Sequence, residues 1–393
     1  MPSRSQIRRR RITALLVLVA AAATVAFLVF GLPGGGDDRR SVDTPPPPPE
    51  LVAATGYCDT AAADDPDRLA GSMLIVRWNG ARSKLIDRAV RRGLIAGVIV
   101  FPEVDNATLT SETARLQRLA EEAGTPPLVV STDQEGGSVK RFPDAPPSVS
   151  PREMADAGAP AREFRTQGRA TGRYLADLGI NVDYAPVLDV PADPDALTWS
   201  RSFGDDTRQV SRRGLAFARG LGDSEVIATA KHFPGLGQTG INTDLEAATI
   251  TADRTELEAG LAAFRDAVAA GIPSIMTANA IYTALDPQLP ASLSPAVVTG
   301  LLRGELGFEG AIVSDDLGAG AITSAYRPAE AAVLAAAAGN DWLLYANTNT
   351  PPLKALKRAL RQGQLELDAI RASCVRTVAL RETVAATPAG NNG

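Results

Sequence analysis

Residues 231–244 read KHFPGLGQTGINTD, follow the apolar run 226–230, and contain His232, the only histidine of the 393-residue chain. An apolar strand that ends in Lys, His, Pro and glycines is punctuated like an active-site loop. Gly235, Gly237 and Gly240 permit turns that side chains forbid, and Pro234 cannot extend a strand ladder. Lys231 and His232 are therefore expected where a sheet opens into a loop. Taken alone, the stretch reads equally well as a Gly-rich connection with a solvated lysine and a core histidine.

Outward from this stretch, short apolar runs alternate with longer stretches of helical period. Candidate strands cover 73–76, 97–101, 127–131, 181–185, 226–230, 274–277, 311–314 and 341–345. Between them, segments such as 161–178, 207–221, 254–270 and 329–338 repeat apolar residues every three or four positions. Eight strands, each followed by a helix, predict an α/β fold: a (β/α)8 TIM-type barrel forming a single catalytic domain. An open doubly wound sheet matches the alternation too, but no Gly-rich phosphate fingerprint follows the first strand. The polar residues separate the two. Asp133 and Glu135 follow the third strand, Asp189 the fourth, Lys231 and His232 the fifth, Asn279 the sixth, and Asp315 with Asp316 the seventh. Groups at so many strand ends converge on one mouth only if the sheet closes.

The chain is 45% hydrophobic and 22% charged, a globular composition. Its formal charge of −5 hides an asymmetry: Arg4 and Arg8 to Arg11 come before any acidic residue, so the remainder carries −10. A body that acidic excludes nucleic acid as a partner. The basic segment 1–11 and the uncharged run 12–32 instead predict a cytoplasmic tail and a transmembrane anchor, with the domain outside the cytoplasm. A cleaved signal sequence and a secreted domain is the alternative. No cysteine follows the run closely, which argues against a lipid anchor. Residues 33–50, with prolines at 45–49, read as a Gly/Pro linker in extended conformation. The folded domain is expected over 51–388, with a disordered tail at 389–393. The two cysteines, Cys58 and Cys374, lie near the two ends of that domain. Outside the cytoplasm they can form a disulfide; two buried free thiols are the alternative.

Seven segments in order resemble glycoside hydrolases of family 3, specifically the single-domain β-N-acetylglucosaminidase (β-N-acetylhexosaminidase) branch. They are DQEGGSVKRF (133–142), NVDYAPVLDV (181–190), RSFG (201–204), KHFPG (231–235), SLSP (292–295), LLRGELGF (301–308) and SDDL (314–317). The resemblance implies a barrel that removes terminal β-linked N-acetylglucosamine from wall-derived (peptidoglycan) or other glycans, with no metal and no organic cofactor. It implies Asp315 as the nucleophile of a retaining mechanism, and Asp133, Arg141, Arg201, Lys231 and His232 as the residues that hold sugar hydroxyls. Charged hydrogen bonds suit that work because they are about twice as strong as neutral ones.

The chain departs from the branch in the loop that usually supplies a histidine as acid/base. Leu236 stands for the first histidine of that loop, and Asn242, Thr243 and Asp244 replace its Asp-Ser-His triplet; Asn279 and Ala319 are further departures. With His232 as the only imidazole, the family's loop dyad is absent. Either Asp244 (or Glu246) transfers the proton as a carboxylic acid, as most glycosidases do, or the protein is a catalytically impaired glycan-binding protein of the cell envelope.

Overall fold

A computed structural model describes residues 49–385. The basic tail, the expected anchor or signal, most of the linker and the expected tail at 389–393 lie outside the described residues. The linker boundary needs one correction. Pro49 and Glu50 begin the helix Pro49–Asp64 rather than ending an extended spacer, a position that suits proline because the first helical N–H has no partner in any case.

Eight parallel strands form the central sheet: β1 (Leu74–Trp78), β2 (Gly97–Val100), β3 (Val129–Thr132), β4 (Val182–Asp183), β5 (Ile227–Phe233), β6 (Ser274–Thr277), β7 (Ala311–Ser314) and β8 (Leu343–Tyr345). They run β7-β6-β5-β4-β3-β2-β1-β8, each parallel to its neighbours. The seam between β7 and β8 is bridged at Val313 and Trp342, where the Ser314 amide donates to the Trp342 carbonyl at 2.9 Å. The result is a nearly closed barrel with helices around it, as the alternation of apolar runs and helical periods predicts. Such strands are buried on both faces, which explains why they read as unbroken Val/Ile runs.

Alternation along the strands sets what points where. Ile75, Ile99, Val129, Val182, Tyr184, Ile227, Met276, Val313, Trp342 and Leu344 pack together inside the barrel. Leu74, Val76, Val98, Val130, Ala228, Ile275, Ile312 and Leu343 face the helices. A residue in step with the first set and beyond its last member must emerge at the C-terminal mouth.

Outside, the helices Ala161–Asp177 and Thr207–Gly222 lie close together because glycines stand at their crossing. A Cβ on Gly168 would come within 2.2 Å of the Phe217 carbonyl oxygen, and one on Gly220 within 2.2 Å of that of Arg165. The opposite end of the barrel is covered by the C-terminal helix Leu367–Ala385, whose Leu380 and Val384 pack against the barrel interior. Buried Arg381 on the same helix donates to the carbonyls of Ala96 and Pro127, each at 3.2 Å. No described helix is long and apolar enough to cross a membrane.

Cys58, on the helix Pro49–Asp64, and Cys374, on Leu367–Ala385, are joined in a disulfide with a Cα separation of 5.9 Å across 316 positions of sequence. Closing so long a loop restricts the unfolded chain, and loss of such a bond typically costs about 2–5 kcal/mol. Reduction, or the double variant Cys58→Ser/Cys374→Ser, is expected to lower the melting temperature by several degrees. Non-reducing peptide mapping of the wild type should recover the two cysteine peptides as one species, and two free thiols would refute the pairing.

Candidate active site

The barrel alternation carries four strands to one rim. Arg77 is in step with Ile75, Asp133 with Val129, Lys231 with Ile227, and Asp315 with Val313, so all four side chains emerge at the mouth. The fifth strand differs from its sequence expectation. Rather than stopping before Lys231, β5 continues through Phe233 and pairs there with Thr277 of β6. Lys231 and His232 thus belong to a buried strand and not to a solvated loop. Pro234 still ends it.

A lysine that deep requires anions. Lys231 is 2% exposed and meets Asp133 Oδ1 at 2.9 Å and Glu135 Oε1 at 2.7 Å. Arg201 donates to both oxygens of Glu135, at 2.8 and 2.7 Å, and Arg141 donates to Asp133 Oδ2 at 3.1 Å. Burial alone would raise the Asp133 carboxyl, but Lys231 and Arg141 outweigh it and hold the group below its usual range. Glu135 behaves likewise: burial would raise it, but Arg201 and Lys231 hold it well below its usual range. Burial alone would discharge Lys231, yet Asp133 and Glu135 keep it protonated. The cluster is therefore ionised across the neutral range.

His232 sits beside this cluster with its ring fixed. Its Nδ1 donates to Asp189 Oδ2 at 2.7 Å, while Asp189 Oδ1 accepts the amides of His232 at 3.1 Å and Leu236 at 2.6 Å. Nε2 is left for the mouth, with no hydrogen bond to a described residue. On the facing wall, burial raises the proton affinity of Asp315, opposed by the nearby charge of His232 and then reinforced by Asp244. Burial also pushes Asp316 up to about 6, against the amides of Gly318 and Ala346. Buried Asn279 steadies this turn by donating to the Asp316 carbonyl at 2.8 Å, and itself accepts from Ser292 Oγ at 2.6 Å.

Asp244 reaches the neighbourhood of Asp315 because its loop is docked on the turn after β7. Gly320 N donates to the Asp244 carbonyl at 2.8 Å, and Ala321 N to that of Thr243 at 3.1 Å. The approach depends on a missing side chain, since a Cβ on Gly320 would lie 2.0 Å from the Leu245 carbonyl oxygen. The Asp244 side chain itself is exposed.

The structure thus brings Asp133, Arg141, Arg201 and Lys231 into one cluster linked through Glu135, and sets His232 and Asp244 within electrostatic reach of Asp315. Two residues near the mouth escaped the sequence reading. Asp183, in the segment NVDYAPVLDV, is fully buried and accepts the Gln134 amide at 2.9 Å, fixing the peptide between Asp133 and Glu135. Arg77 is the single charge in the apolar strand β1; its even spacing from Ile75 was the available signal. Among the described residues no cluster of His, Cys, Asp and Glu is arranged to hold a metal.

Comparison with known proteins identifies the family. The family description "Glycosyl hydrolase family 3 N terminal domain" matches residues 70–380. An uncharacterized secreted glycosyl hydrolase of Arthroderma benhamiae is 35% identical over 306 residues, covering 75% of this chain and 86% of that protein. The β-hexosaminidase LpqI of Mycobacterium tuberculosis is 33% identical over 298 residues, covering 73% of this chain and 76% of its own length. Among solved structures, a glycoside hydrolase family 3 β-N-acetylglucosaminidase from Paenibacillus superposes with a TM-score of 0.78 at 34% identity, over 83% of this chain and 64% of that one.

Asp183 carries a pH prediction. Burial pushes its carboxyl from 3.8 to about 7, against the Gln134 amide, and its Oδ2 has no partner. A raised folded-state value means that the native protein binds the extra proton, so this group costs stability as pH rises from about 4 to 7. Asp133 and Glu135 have the opposite sign: their contribution is present above about pH 4 and is lost only as acid reaches their depressed values. Asp183→Asn is expected to melt above the wild type at pH 8, with the advantage vanishing toward pH 4 in a thermal series. Glu135→Ala, which leaves Lys231 and Arg201 short of a buried partner, should cost about 3–5 kcal/mol in denaturant unfolding.

Proposed function

This chain belongs to glycoside hydrolase family 3, and on that premise we propose that it is a retaining glycosidase acting on terminal β-linked N-acetylglucosamine, with Asp315 as nucleophile and Asp244 as acid/base. The observation that carries the reading is the placement of Asp315 opposite an ionised cluster of Asp133, Lys231, Glu135 and Arg201, with the backbone of the loop that carries Asp244 docked beside it. The cluster holds sugar hydroxyls through charge-assisted hydrogen bonds. The ring of His232, held in place by Asp189, leaves its Nε2 for one more hydrogen bond to the sugar.

In the first step the Asp315 carboxylate attacks the anomeric carbon while the Asp244 carboxyl gives its proton to the departing glycosidic oxygen. In the second, the Asp244 carboxylate takes a proton from water, whose oxygen attacks the same carbon and frees Asp315. The two carboxyls stand in different surroundings. Asp315 is raised by burial but faces His232 and Lys231, which favour its ionised, nucleophilic form. Asp244 stands in solvent on a loop, where it can reach a leaving group of varied structure.

One observation favours a second reading, an impaired enzyme that binds glycans. The Asp244 carboxylate has no described residue orienting it, unlike the Asp189-held ring of His232. The disulfide and the secreted relative support a domain working outside the cytoplasm, anchored or released by the segment 12–32, on N-acetylglucosamine of wall-derived or other glycans.

With the full chain, Asp315→Ala is expected to abolish hydrolysis of both an aryl N-acetyl-β-glucosaminide and a natural disaccharide. Asp244→Ala should lower kcat about 10²- to 10⁴-fold on the disaccharide, whose leaving group needs the proton, and far less on the aryl substrate. Absence of turnover, with saturable N-acetylglucosamine binding that Asp133→Ala removes, would establish the binding protein instead.

A further inference from the structure

The rim of the barrel between β1 and β3 holds an arrangement that hydrolysis of a neutral sugar does not use. Phe101 follows β2 in step with Ile99 and borders the barrel interior. Two guanidinium groups lie over its ring: Cζ of Arg77 is 4.2 Å from the centroid and Cζ of Arg141 is 4.4 Å. Stacking occupies the faces of these cations and leaves their N–H edges for a ligand.

Those edges are poorly satisfied. The Nε of Arg141 is buried without a hydrogen-bond partner, and among the described residues its side chain donates only to Asp133. Arg77 reaches the Ala346 carbonyl only at 3.4 Å and the carboxylate of Glu103 only at 4.0 Å. Glu103 is itself 63% exposed and tethered by Asn79 at 3.0 Å, so it lies outside the stack rather than within it. Asp133, the other carboxylate nearby, is already engaged by Lys231. An orphaned buried donor beside an underpaired cation is a site short of an acceptor.

We propose that Arg77 and Arg141, stacked on Phe101, form a subsite for an anionic substituent on the bound sugar, a sulfate or phosphate at its C6 arm. The proposal rests on Asp315 marking the position of the anomeric carbon. In the ring of eight strands β3 lies opposite β7, and β2 is one strand nearer. A pyranose with its anomeric carbon over Asp315 therefore turns its far end toward Asp133 and Phe101, where the two forks await. A guanidinium edge matches the paired oxygens of sulfate or phosphate better than a lone hydroxyl does. Arg77 then sets specificity, while Arg141 also supports the neutral part of the sugar through Asp133.

The test compares p-nitrophenyl N-acetyl-β-glucosaminide with its 6-sulfate and 6-phosphate, using the full chain at low ionic strength. The wild type is expected to show a higher kcat/KM for at least one charged substrate than for the neutral one, and the two charged arms tell sulfate from phosphate. Arg77→Ala should lower that preference about tenfold while changing the neutral rate less than about threefold, and Arg77→Lys should restore part of it. Glu103→Gln, which removes the competing carboxylate, should raise it. A wild-type preference for the neutral substrate, or an equal loss on both substrates in Arg77→Ala, overturns the subsite. If neither substrate turns over, the glycosidase reading has failed separately. Calorimetry with N-acetylglucosamine and its 6-sulfate and 6-phosphate then decides the subsite: tighter binding of a charged sugar, lost in Arg77→Ala, upholds it, and equal binding refutes it.

Discussion

A lysine ammonium with almost no access to water, at the top of the fifth strand, sets the terms for everything around the mouth. Left alone it would lose its proton or unfold its strand. Two carboxylates delivered by the third strand keep it charged, and those carboxylates in turn need Arg141 and Arg201. The chain cannot move any member of this cluster without exposing another to an uncompensated charge. Rigidity of this kind is what sugar recognition requires, because hydroxyl groups differ only in direction. Asp183 extends the same constraint outward by fixing the peptide that separates the two carboxylates.

The facing side of the mouth is built on different principles. There the carboxylates of Asp315 and Asp316 are raised in proton affinity rather than lowered, since burial is only partly offset by His232 and by backbone amides. One wall therefore holds charge tightly and the other keeps it adjustable. The loop carrying Asp244 joins the adjustable wall through main-chain hydrogen bonds to Gly320 and Ala321, which constrain where the loop lies without constraining which side chains it carries. That explains how this chain can lack an imidazole in the loop and still present an acidic group there.

The barrel was readable in the sequence because strands buried on both faces leave uninterrupted apolar runs, and because strand-end polar residues recur with each unit. The gathering of Asp133, Lys231, Arg201 and Asp315 about one rim was readable where a short motif carried them. What sequence reading misplaced was the end of the fifth strand: a Lys-His pair looks solvated until its partners are known, and those partners lie some hundred residues earlier. Asp183 and the Arg77–Phe101–Arg141 stack were illegible for the same reason. Their meaning lies in contacts between separate strands, which no local pattern records. The Asp–His pair differs again. Here Asp189, in the segment after β4, and His232, within β5, form a buried pair.

The covalent link between Cys58 and Cys374 ties the first described helix to the last one, and that last helix caps the barrel at the end away from the mouth. A pull on the chain before Cys58 is divided at the sulfur bridge, part passing into the capping helix and part continuing along the backbone toward β1.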